Sequence, residues 1–335
     1  ASKTENGDGS VTIDLSPNTS SSAQEKGGFY ENLALKIDSG ELPSDLAIGK
    51  DLYASVQETL SDHLDQLAME LASFDVVGLT TCFGQLFGNV VLANRLKRVA
   101  PRIKVVLGGS TISSRVGPSI LDEYPSIDFI IQGEGEQPFV ALLDSLASRS
   151  GVRPAIAGVL SRDEAPASER GAELSEVSSL DDLPTPDYDE FAEAADQYGF
   201  DWTLAIEGSR GCWWDRTRRT GNPKDTCYFC NENVQWVGYR EKSTERVIAE
   251  VVELSNRYSN LKLFFADNIV RYKRLGEFAR ALISLDKHFE IFHEMRANVK
   301  PGEFLLMWEA GLDRVQFGIE GVSTSYLRRI GKGTT

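Results

Sequence analysis

The sequence predicts an α/β fold with two successive groups of parallel strand–helix units. The first group is expected to form an open, doubly wound sheet, and the second a partial (βα) barrel. Short apolar runs alternate with helical patterns along most of the chain, which is typical of such units. Two polar segments, residues 1–28 and 163–200, precede the two groups.

Residues 1–28 are polar throughout and are predicted to be a disordered N-terminal segment. Residues 55–73 place apolar side chains at steps of three and four, which predicts one amphipathic helix. Further strands are predicted over 75–81, 103–109 and 127–133, and helices over 86–100, 115–124 and 136–148. Apolar strands of this kind are buried on both faces, as in parallel sheets covered by helices. We therefore assign residues 29–162 to a first domain.

Residues 163–200 are rich in Ser, Glu, Asp and Pro, and this composition predicts an interdomain linker. Residues 201–335 hold the second group of units. Its predicted strands cover 202–209, 261–267, 289–297 and 314–320, and its helices cover 243–258, 272–286 and 302–311. Ser243 is the predicted N-cap of the first of these helices. Four strands are too few to close a barrel, so the sequence predicts a barrel truncated at its C-terminus.

Composition limits the function classes. The chain has 335 residues and a net charge of −15, which disfavours general nucleic-acid binding because phosphate contacts supply most of that affinity. It contains no long apolar run, and its N-terminus lacks the apolar core of a signal peptide. We expect a cytoplasmic protein without a membrane or nucleic-acid partner. Its four cysteines are too few for a disulfide scaffold and favour metal binding or catalysis.

Small and polar residues follow the three predicted strands of the first domain. In order they are Thr80, Thr81 and Cys82; Gly108, Gly109, Ser110 and Thr111; and Gly133, Glu134, Gly135 and Glu136. Ligands of open α/β sheets bind at the carboxyl ends of the strands, and glycine there allows a bulky ligand to approach the backbone. Each glycine pair alone would suit a tight strand-to-helix turn. Three such sets at one sheet edge favour a ligand site.

Three of the four cysteines lie in one segment after the first strand of the second domain: Cys212, Cys227 and Cys230. Structural zinc needs a fourth ligand, and no Cys or His follows at ligand spacing. A thioredoxin-type couple would leave Cys212 unexplained, and a catalytic thiol would need a partner histidine. A four-iron cluster on three thiolates would keep one iron open to substrate. The segment also follows a barrel strand, where active sites of such barrels lie.

Several motifs in order resemble one family of enzymes. They include "IDFIIQGEGEQPF", "SRGCWW", "CYFCNEN", "FFADNI" and "KGTT", and the resemblance covers roughly residues 29–335. The chain is similar to the cobalamin-binding radical S-adenosylmethionine (SAM) enzymes that mature ribosomally made peptides. It departs from them in the fourteen residues between Cys212 and Cys227. It also carries Asp267 and Asn268 where generic relatives have Gly-Gly-Glu.

The resemblance implies a [4Fe-4S] cluster on the three cysteines and SAM on the open iron. The SAM contacts it implies are Phe229, Asp267, Asn268, Glu294, Arg296, Asn298, Gln316 and Glu320. The last five lie on the third and fourth predicted strands of this domain and would point to one mouth if inward positions alternate. The alternative for single members of this set, above all Arg296 and Gln316, is hydrogen bonding within the barrel.

The resemblance also implies that the first domain is a Rossmann-like cobalamin-binding sheet. The implied contacts are Thr80, Thr81, Gly108, Gly109, Ser110, Thr111, Gly133, Glu134 and Gly135. The common motif Asp-x-His-x-x-Gly is absent, since His63 lies in "SDHLDQL". We therefore expect cobalt without a protein imidazole. Cys82 is close enough in sequence to reach this pocket, but a small buried hydrophobic residue is the simpler interpretation.

The activity implied by the resemblance is radical C-methylation of a ribosomally made peptide, through a 5′-deoxyadenosyl radical and methylcobalamin. An electron donor such as flavodoxin or ferredoxin would be a further partner. The basic insert with Arg216, Arg218, Arg219 and Lys224 is either a solvated loop or a contact for an acidic leader peptide. Alternatives are another cobalamin-dependent radical rearrangement or cyclisation on a small molecule, and a non-catalytic cobalamin- or metal-binding module. Trp213 and Trp214 are expected to shield the cluster from water.

Overall fold

The structure is a computed structural model. It describes residues 2–5, 11–14, 50–112, 116–148, 155–162, 174–230, 236, 238–271 and 273–335. Contacts divide the chain into two compact units, residues 1–73 and residues 74–335. Both predicted sheets lie in the second unit. The domain boundaries predicted at residues 28, 162 and 200 stay predictions.

The first unit contains an antiparallel strand pair and one long helix. The strands are β1 (Ser2–Glu5) and β2 (Val11–Asp14), and the helix is α1 (Lys50–Leu71). The strand pair lies in the segment predicted to be disordered, because Val11 and Ile13 have high β propensity that the polar composition obscured. The rest of residues 1–28 lies outside the described residues. Helix α1 covers most of the predicted helix at 55–73 and begins earlier.

A four-stranded sheet opens the second unit. Its strands are β3 (Val76–Thr80), β4 (Lys104–Gly108), β5 (Phe129–Ile131) and β6 (Val159–Ser161), and its helices are α2 (Gln85–Val99), α3 (Val116–Glu123) and α4 (Glu136–Ala147). Strands β3 to β5 are parallel as predicted, and β6 is an antiparallel strand that the sequence did not reveal. The strand order follows the chain without a reversal among the described strands. A doubly wound arrangement therefore stays a prediction.

A second four-stranded sheet follows, and its strands are all parallel. They are β7 (Leu204–Ile206), β10 (Lys262–Phe265), β11 (Glu290–Arg296) and β12 (Leu312–Gly318), paired in that order. The short strands β8 (Ser209–Arg210) and β9 (Arg240–Glu241) form an antiparallel pair. The helices are α5 (Asp189–Tyr198), α6 (Thr217–Thr220), α7 (Thr244–Arg257), α8 (Leu275–Ile283), α9 (Pro301–Glu309) and α10 (Thr324–Arg329). The four parallel strands confirm the α/β architecture predicted for this region.

The helices pack on one face of the second sheet because their apolar residues form a continuous stripe. Val247, Val251 and Leu254 of α7 are fully buried, and the Phe265 and Phe278 rings meet edge to face at 5.7 Å. Burial of each such side chain contributes about 1.5–3 kcal/mol. The predicted N-cap is confirmed, because the Ser243 side chain accepts a hydrogen bond from the Arg246 backbone N–H.

The described part of the predicted linker, residues 174–200, packs onto the fold. Val177 and Leu180 are buried, and the Tyr188 hydroxyl donates to the Ala205 carbonyl of β7 at 2.8 Å. The Tyr188 ring also meets Trp202 edge to face. The few apolar residues of this predicted linker are spaced between Ser, Asp and Pro, so composition alone did not reveal this packing. Within the described part of the chain, every helix is too short or too polar to span a bilayer.

Candidate functional site

The cysteine segment begins where β7 ends and passes through β8. None of Cys212, Cys227 and Cys230 forms a disulfide. Cys227 is buried, Cys212 is half-buried and Cys230 is exposed. The Cys230 backbone N–H donates to the Cys227 carbonyl at 3.2 Å, which folds the C-x-x-C segment into a tight turn. The segment therefore has two sheltered sulfurs and one that is open to solvent.

The long insert between Cys212 and Cys227 folds back on itself. The Arg216 N–H donates to the Asp225 carbonyl at 2.9 Å, which joins the two ends of the insert. The Asp215 carboxylate caps α6 by accepting from the Thr217 N–H at 3.0 Å and its hydroxyl at 2.7 Å. The insert is thus a compact excursion that returns Cys227 to the neighbourhood of Cys212.

The possible metal ligands of the cysteine segment are three thiols. Among the residues that the structure describes, no three His, Cys, Asp or Glu side chains converge closely enough to hold one metal ion. Tetrahedral zinc would require such convergence. A four-iron cluster places each thiolate on a separate iron, and thiolates are the ligands it takes. Three thiols are thus the ligand type that a four-iron cluster takes, and a cluster on them stays a prediction.

Burial raises the pKa of the Cys212 thiol above its usual value. The backbone N–H groups of Trp214 and Asp215 and the charge of Arg296 oppose this shift without cancelling it. The thiol is therefore protonated at neutral pH when no metal is bound. Metal ligation requires the thiolate, so binding would release a proton here.

Both tryptophans beside Cys212 are fixed by hydrogen bonds from their indole nitrogens. Trp213 Nε1 donates to the Val270 carbonyl at 3.1 Å, and Trp214 Nε1 donates to the Gly331 carbonyl at 3.0 Å. Their rings meet edge to face with centroids 6.4 Å apart. They therefore form rigid walls beside the sheltered sulfurs. The predicted shielding of a cluster is consistent with this position.

Three predicted SAM residues share one face of the second sheet. Glu294 pairs in register with Gln316, and Arg296 pairs with Gly318. The neighbouring position Phe317 faces the helices, where its ring lies 5.8 Å from Phe304. Side chains alternate along a strand, so Glu294, Arg296 and Gln316 lie on the face turned away from the helices. The structure brings these three together, and their contact with SAM stays a prediction.

The remaining predicted SAM residues differ in their solvent exposure and in the contacts that they already make. Phe229 is half exposed, with Lys332 Nζ 6.0 Å from its ring centroid. Glu320 accepts a hydrogen bond from Lys332 Nζ at 3.0 Å, so its carboxylate is already paired. Asn298 lies past the end of β11, in an open cleft of roughly 440 Å³ that Arg296 and Trp213 also line. Asn268 is half-buried at the end of β10.

Asp267 is buried, and its carboxylate is held by the protein backbone. Its Oδ1 accepts from the Gly208 N–H at 2.7 Å and the Ser209 N–H at 2.9 Å. A Cβ at Gly208 would lie 2.9 Å from Asp267 Oδ2, so this approach requires glycine. Burial raises the pKa of Asp267 to about 7. Asp267 therefore ties β10 to the chain that enters the cysteine segment, a role that sequence reasoning missed.

His293 lies beside Asp267 but carries no charge. Its ring stacks on Phe265 with centroids 4.8 Å apart, and burial lowers its pKa to about 3. The 3.9 Å approach of its Nε2 to Asp267 Oδ2 is therefore not an ion pair at neutral pH. His293 is a packed core residue on the helix side of β11.

At the first sheet, two of the predicted edge glycines serve the chain itself. Gly109 has φ +106, and a Cβ there would lie 2.5 Å from the Thr81 carbonyl oxygen. Gly133 has φ +84, and a Cβ would lie 2.4 Å from the Ser175 carbonyl oxygen. Left-handed backbone and such close approaches require glycine. These two positions therefore fit the tight-turn interpretation.

Gly108 and Gly135 leave open space instead. A Cβ at Gly108 would have its nearest neighbour 4.0 Å away, and one at Gly135 would meet nothing within 4 Å. Ser110 and Thr111 are half-buried next to them, whereas Thr81 is fully buried. Thr80 is exposed at the end of β3. Fewer of the predicted cobalamin contacts are therefore accessible to a ligand than the sequence suggested.

Phe83 is a residue of this edge that sequence reasoning missed. It has φ 49 and is 95% exposed, although it is a large apolar side chain. The loop is nevertheless pinned, because the Cys82 N–H donates to Gln85 Oε1 at 2.8 Å and the Gln85 N–H donates to the Cys82 carbonyl at 3.1 Å. An apolar residue directly after "TTC" was the only signal. Cys82 itself is half-buried, with its sulfur 3.5 Å from Ser110 Oγ.

A charge network joins the edges of the two sheets. Arg210, two residues before Cys212, contacts Glu134 at 3.2 Å and Glu136 at 2.6 Å. Glu134 is buried, and it also pairs with Arg240 and accepts from the Val177 N–H at 2.5 Å. Burial raises the pKa of Glu134, but these hydrogen bonds and charges outweigh it, and the net pKa is below the usual value. The Glu134 carboxylate, predicted to contact cobalamin, is engaged by these partners.

The second sheet and its cysteine segment have known relatives. Residues 208–335 match the family model of the Radical SAM superfamily. This segment is therefore similar to radical SAM domains. The match confirms the predicted enzyme class, and the superfamily implies a [4Fe-4S] cluster and SAM as cofactors.

Relatives that align with about three quarters of this chain include proteins named as methyltransferases and as cyclases. The chain is 27% identical over 273 residues to the uncharacterized methyltransferase PH0819 of Pyrococcus horikoshii, covering 78% of this chain and 55% of the relative. It is 25% identical to the hopanoid C-3 methylase of Methylococcus capsulatus, covering 72% and 44%. It is 26% identical to the anaerobic magnesium-protoporphyrin IX monomethyl ester cyclase of Synechocystis, covering 71% and 46%. The chain spans about half the length of these relatives.

Proposed function

We propose that the chain belongs to a cobalamin-dependent radical SAM C-methyltransferase whose substrate is a ribosomally made peptide. The observation that carries this proposal is the charge network between the two sheets. Glu134 and Glu136 follow β5 at the ligand edge of the first sheet, and Arg210 precedes Cys212 at the ligand edge of the second. A cofactor at each edge would thus lie near the other, as methyl transfer to an activated carbon requires.

At the second edge, this chain's residues bind and enclose their cofactors. Cys212, Cys227 and Cys230 are the cluster ligands, and Trp213 and Trp214 exclude water from the two sheltered sulfurs. The Glu294 and Gln316 side chains would orient the polar parts of SAM from the face away from the helices. When bound, the cluster and SAM supply hydrogen-atom abstraction, and cobalamin supplies the methyl group.

At the first edge, we propose that cobalamin packs mainly against the protein backbone. Open space at Gly108 and Gly135 lets a large flat ligand approach the strand ends. The loops that follow β3, β4 and β5 contain no histidine within their described residues. We therefore propose that cobalamin binds here without an imidazole on cobalt.

The peptide part of the proposal is supported by exposed cations next to the cluster loop. Arg219 and Lys224 are exposed in the insert, whereas Arg216 lies over the Trp214 ring at 4.7 Å. Exposed cations on a protein of net charge −15 would attract an acidic leader segment. The second proposed partner is a small electron donor such as a flavodoxin or a ferredoxin.

A second candidate function is cyclisation or rearrangement of a small molecule, which the cyclase relatives favour. Product mass separates the two functions, because methylation adds one CH2 to the substrate and an isomerising cyclisation adds nothing. The test uses the full chain, reconstituted anaerobically with iron, sulfide, cobalamin and SAM. We expect about four irons per chain and bound cobalamin. A wild-type protein that binds iron but no cobalamin would contradict the methyltransferase proposal.

A further inference from the structure

Arg296 ends β11 beside the cysteine segment and is 5% exposed. Its guanidinium lies 4.4 Å from the Trp214 ring centroid and 5.5 Å from that of Trp213. One terminal nitrogen donates to the Lys332 carbonyl. The other lies 3.9 Å from the Cys227 sulfur, within reach of a hydrogen bond to it.

The surroundings of Arg296 fix this orientation. Gly331 and Gly333 have φ +71 and +70, which favours glycine at both positions. A Cβ at Gly333 would lie 1.8 Å from the Trp214 ring, and one at Gly331 would lie 2.3 Å from the Thr226 carbonyl oxygen. The "GKG" stretch, which overlaps the "KGTT" motif, is therefore shaped to fit against the cysteine segment. We call Trp213, Trp214 and Gly331–Gly333 the arginine cage.

The partners of Arg296 are the two indole rings, the Lys332 carbonyl and the Cys227 sulfur, and none of them is an acidic side chain. Its Nε atom is buried without a partner among the described residues. A buried cation among neutral groups is costly unless an anion accompanies it. Deprotonated cysteines on a cluster would provide that negative charge.

We propose that Arg296 is a positioning residue for the cluster, donating to the Cys227 sulfur and favouring the reduced cluster by its charge. The inference rests on the proposed function, since it requires a cluster on the three cysteines. Hydrogen bonds to sulfur ligands and nearby charge are among the factors that set cluster potentials. The low dielectric of a buried site strengthens both effects. Arg296 would then serve the cluster, in place of the SAM contact that the resemblance implies.

The test is a reductive titration of the full chain after anaerobic reconstitution, without SAM. Dithionite donates one electron per cluster, and electron paramagnetic resonance counts the reduced fraction. For Arg296→Met we expect unchanged iron content and an equilibrium constant for reduction lowered about tenfold or more. A tenfold change corresponds to about 59 mV for one electron. SAM is omitted so that loss of a contact between Arg296 and the SAM carboxylate cannot cause the shift in potential.

Lys300→Met is the matched control. Lys300 lines the same cleft as Arg296, but its ammonium is exposed and lies 3.5 Å from Glu303. Removing this charge should leave the potential unchanged. A shift as large as that of Arg296→Met would show that any cation of the cleft acts equally, and would overturn the proposal.

Arg296→Lys covers the case in which Arg296→Met holds no iron. Lysine keeps the charge and loses the planar fork that contacts carbonyl and sulfur together, so we expect a smaller downward shift. Two results would refute the role of Arg296 at the Cys227 sulfur. In the first, Arg296→Lys and Arg296→Met both keep the wild-type potential. In the second, Arg296→Lys keeps the wild-type potential and Arg296→Met holds no iron. If the wild-type chain itself binds no iron, the proposed function fails first, and the two failures are thereby distinguished.

Discussion

The ligand edges of the two sheets are built in different ways. The edge of the first sheet presents backbone and small residues, and open space at Gly108 and Gly135 is its main feature. The edge of the second sheet presents thiols, indoles and a guanidinium that hold one another in place. The first edge is thus defined by small or absent side chains that leave space for a ligand. The second edge is defined by the chemical groups of its side chains. Glycine has several uses, so the second edge is the easier one to interpret from sequence.

The largest expected effect is loss of iron when a cysteine at the edge of the second sheet is replaced, with no loss when Cys82 at the edge of the first sheet is replaced. Replacing Cys212, Cys227 or Cys230 with Ala should abolish the cluster, because each removes one of three thiolate ligands. Iron analysis and visible absorption after anaerobic reconstitution measure this loss. Cys82→Ala at the first edge is the control and should keep full iron. A Cys212→Ala protein with a complete cluster would mean that the fourteen-residue spacing excludes this thiol from the site.

The next effect concerns the network that joins the edges. Glu134→Ala leaves Arg240 and Arg210 without their buried partner, so we expect a loss of about 3–5 kcal/mol in the free energy of unfolding. Glu136→Ala is the control, because its more exposed contact with Arg210 should contribute about 1 kcal/mol or less. Urea denaturation measures both. Equal effects of the two changes would contradict the buried role of Glu134.

The network also gives a pH dependence. The pKa of Glu134 in the folded protein is below its usual value of 4.5, so its ion pairs stabilise the fold at neutral pH. This contribution should fall as the pH falls below 4.5 and through the lower folded pKa, because the unfolded chain binds the proton first. The stability difference between wild type and Glu134→Ala should shrink over that range. A constant difference down to strongly acidic pH would argue against the lowered pKa.

Two neighbouring glycines sharpen the description of the first edge. Gly109→Ala should destabilise the fold by about 1–3 kcal/mol, because it puts a Cβ into left-handed backbone and against the Thr81 carbonyl. Gly108→Leu should leave the fold intact and block cobalamin, because its side chain enters the open space. Thermal unfolding and cobalamin retention on a desalting column measure the two results. Normal cobalamin binding by Gly108→Leu would remove Gly108 from the ligand edge.

The smallest effect is expected at Phe83. Asn tolerates left-handed backbone better than Phe, so Phe83→Asn should be stabilised by up to about 1 kcal/mol. The same change should weaken cobalamin retention, because an exposed apolar surface beside the edge is lost. Phe87→Asn is the control, since Phe87 is also exposed but lies in regular helix. Retention equal to wild type would mean that Phe83 does not face the ligand.

Local patterns predicted most of the secondary structure, because apolar periodicity is a property of neighbouring residues. The predicted strands and helices of both sheets were found within a few residues of their observed ends. Strand alternation also placed Glu294, Arg296 and Gln316 on one face. The antiparallel strand β6 and helix α5 were missed, because one is three residues long and the other lies in polar sequence.

Contacts between distant parts of the chain could not be predicted in this way. Asp267 accepts from amides some sixty positions earlier, and Glu134 pairs with Arg240 across 106 positions. No local pattern encodes such pairings, because they depend on how the sheets pack. The open or filled space beside each edge glycine depends on the same packing. Residue type thus suggested three cysteines as candidate cluster ligands, which stay a prediction, whereas the residues that contact them could be identified only from the structure.

The arginine cage also has a consequence for biosynthesis. Trp214 donates to a carbonyl 117 positions later in the chain, so the cage cannot close until Gly331 has been made. Chain elongation proceeds at about 5–20 residues per second, and this interval therefore lasts on the order of ten seconds. The cysteines emerge from the ribosome at its start, before the walls that shelter them. Oxygen present during synthesis would reach sulfurs that the finished fold encloses, and anaerobic expression should yield more intact thiols.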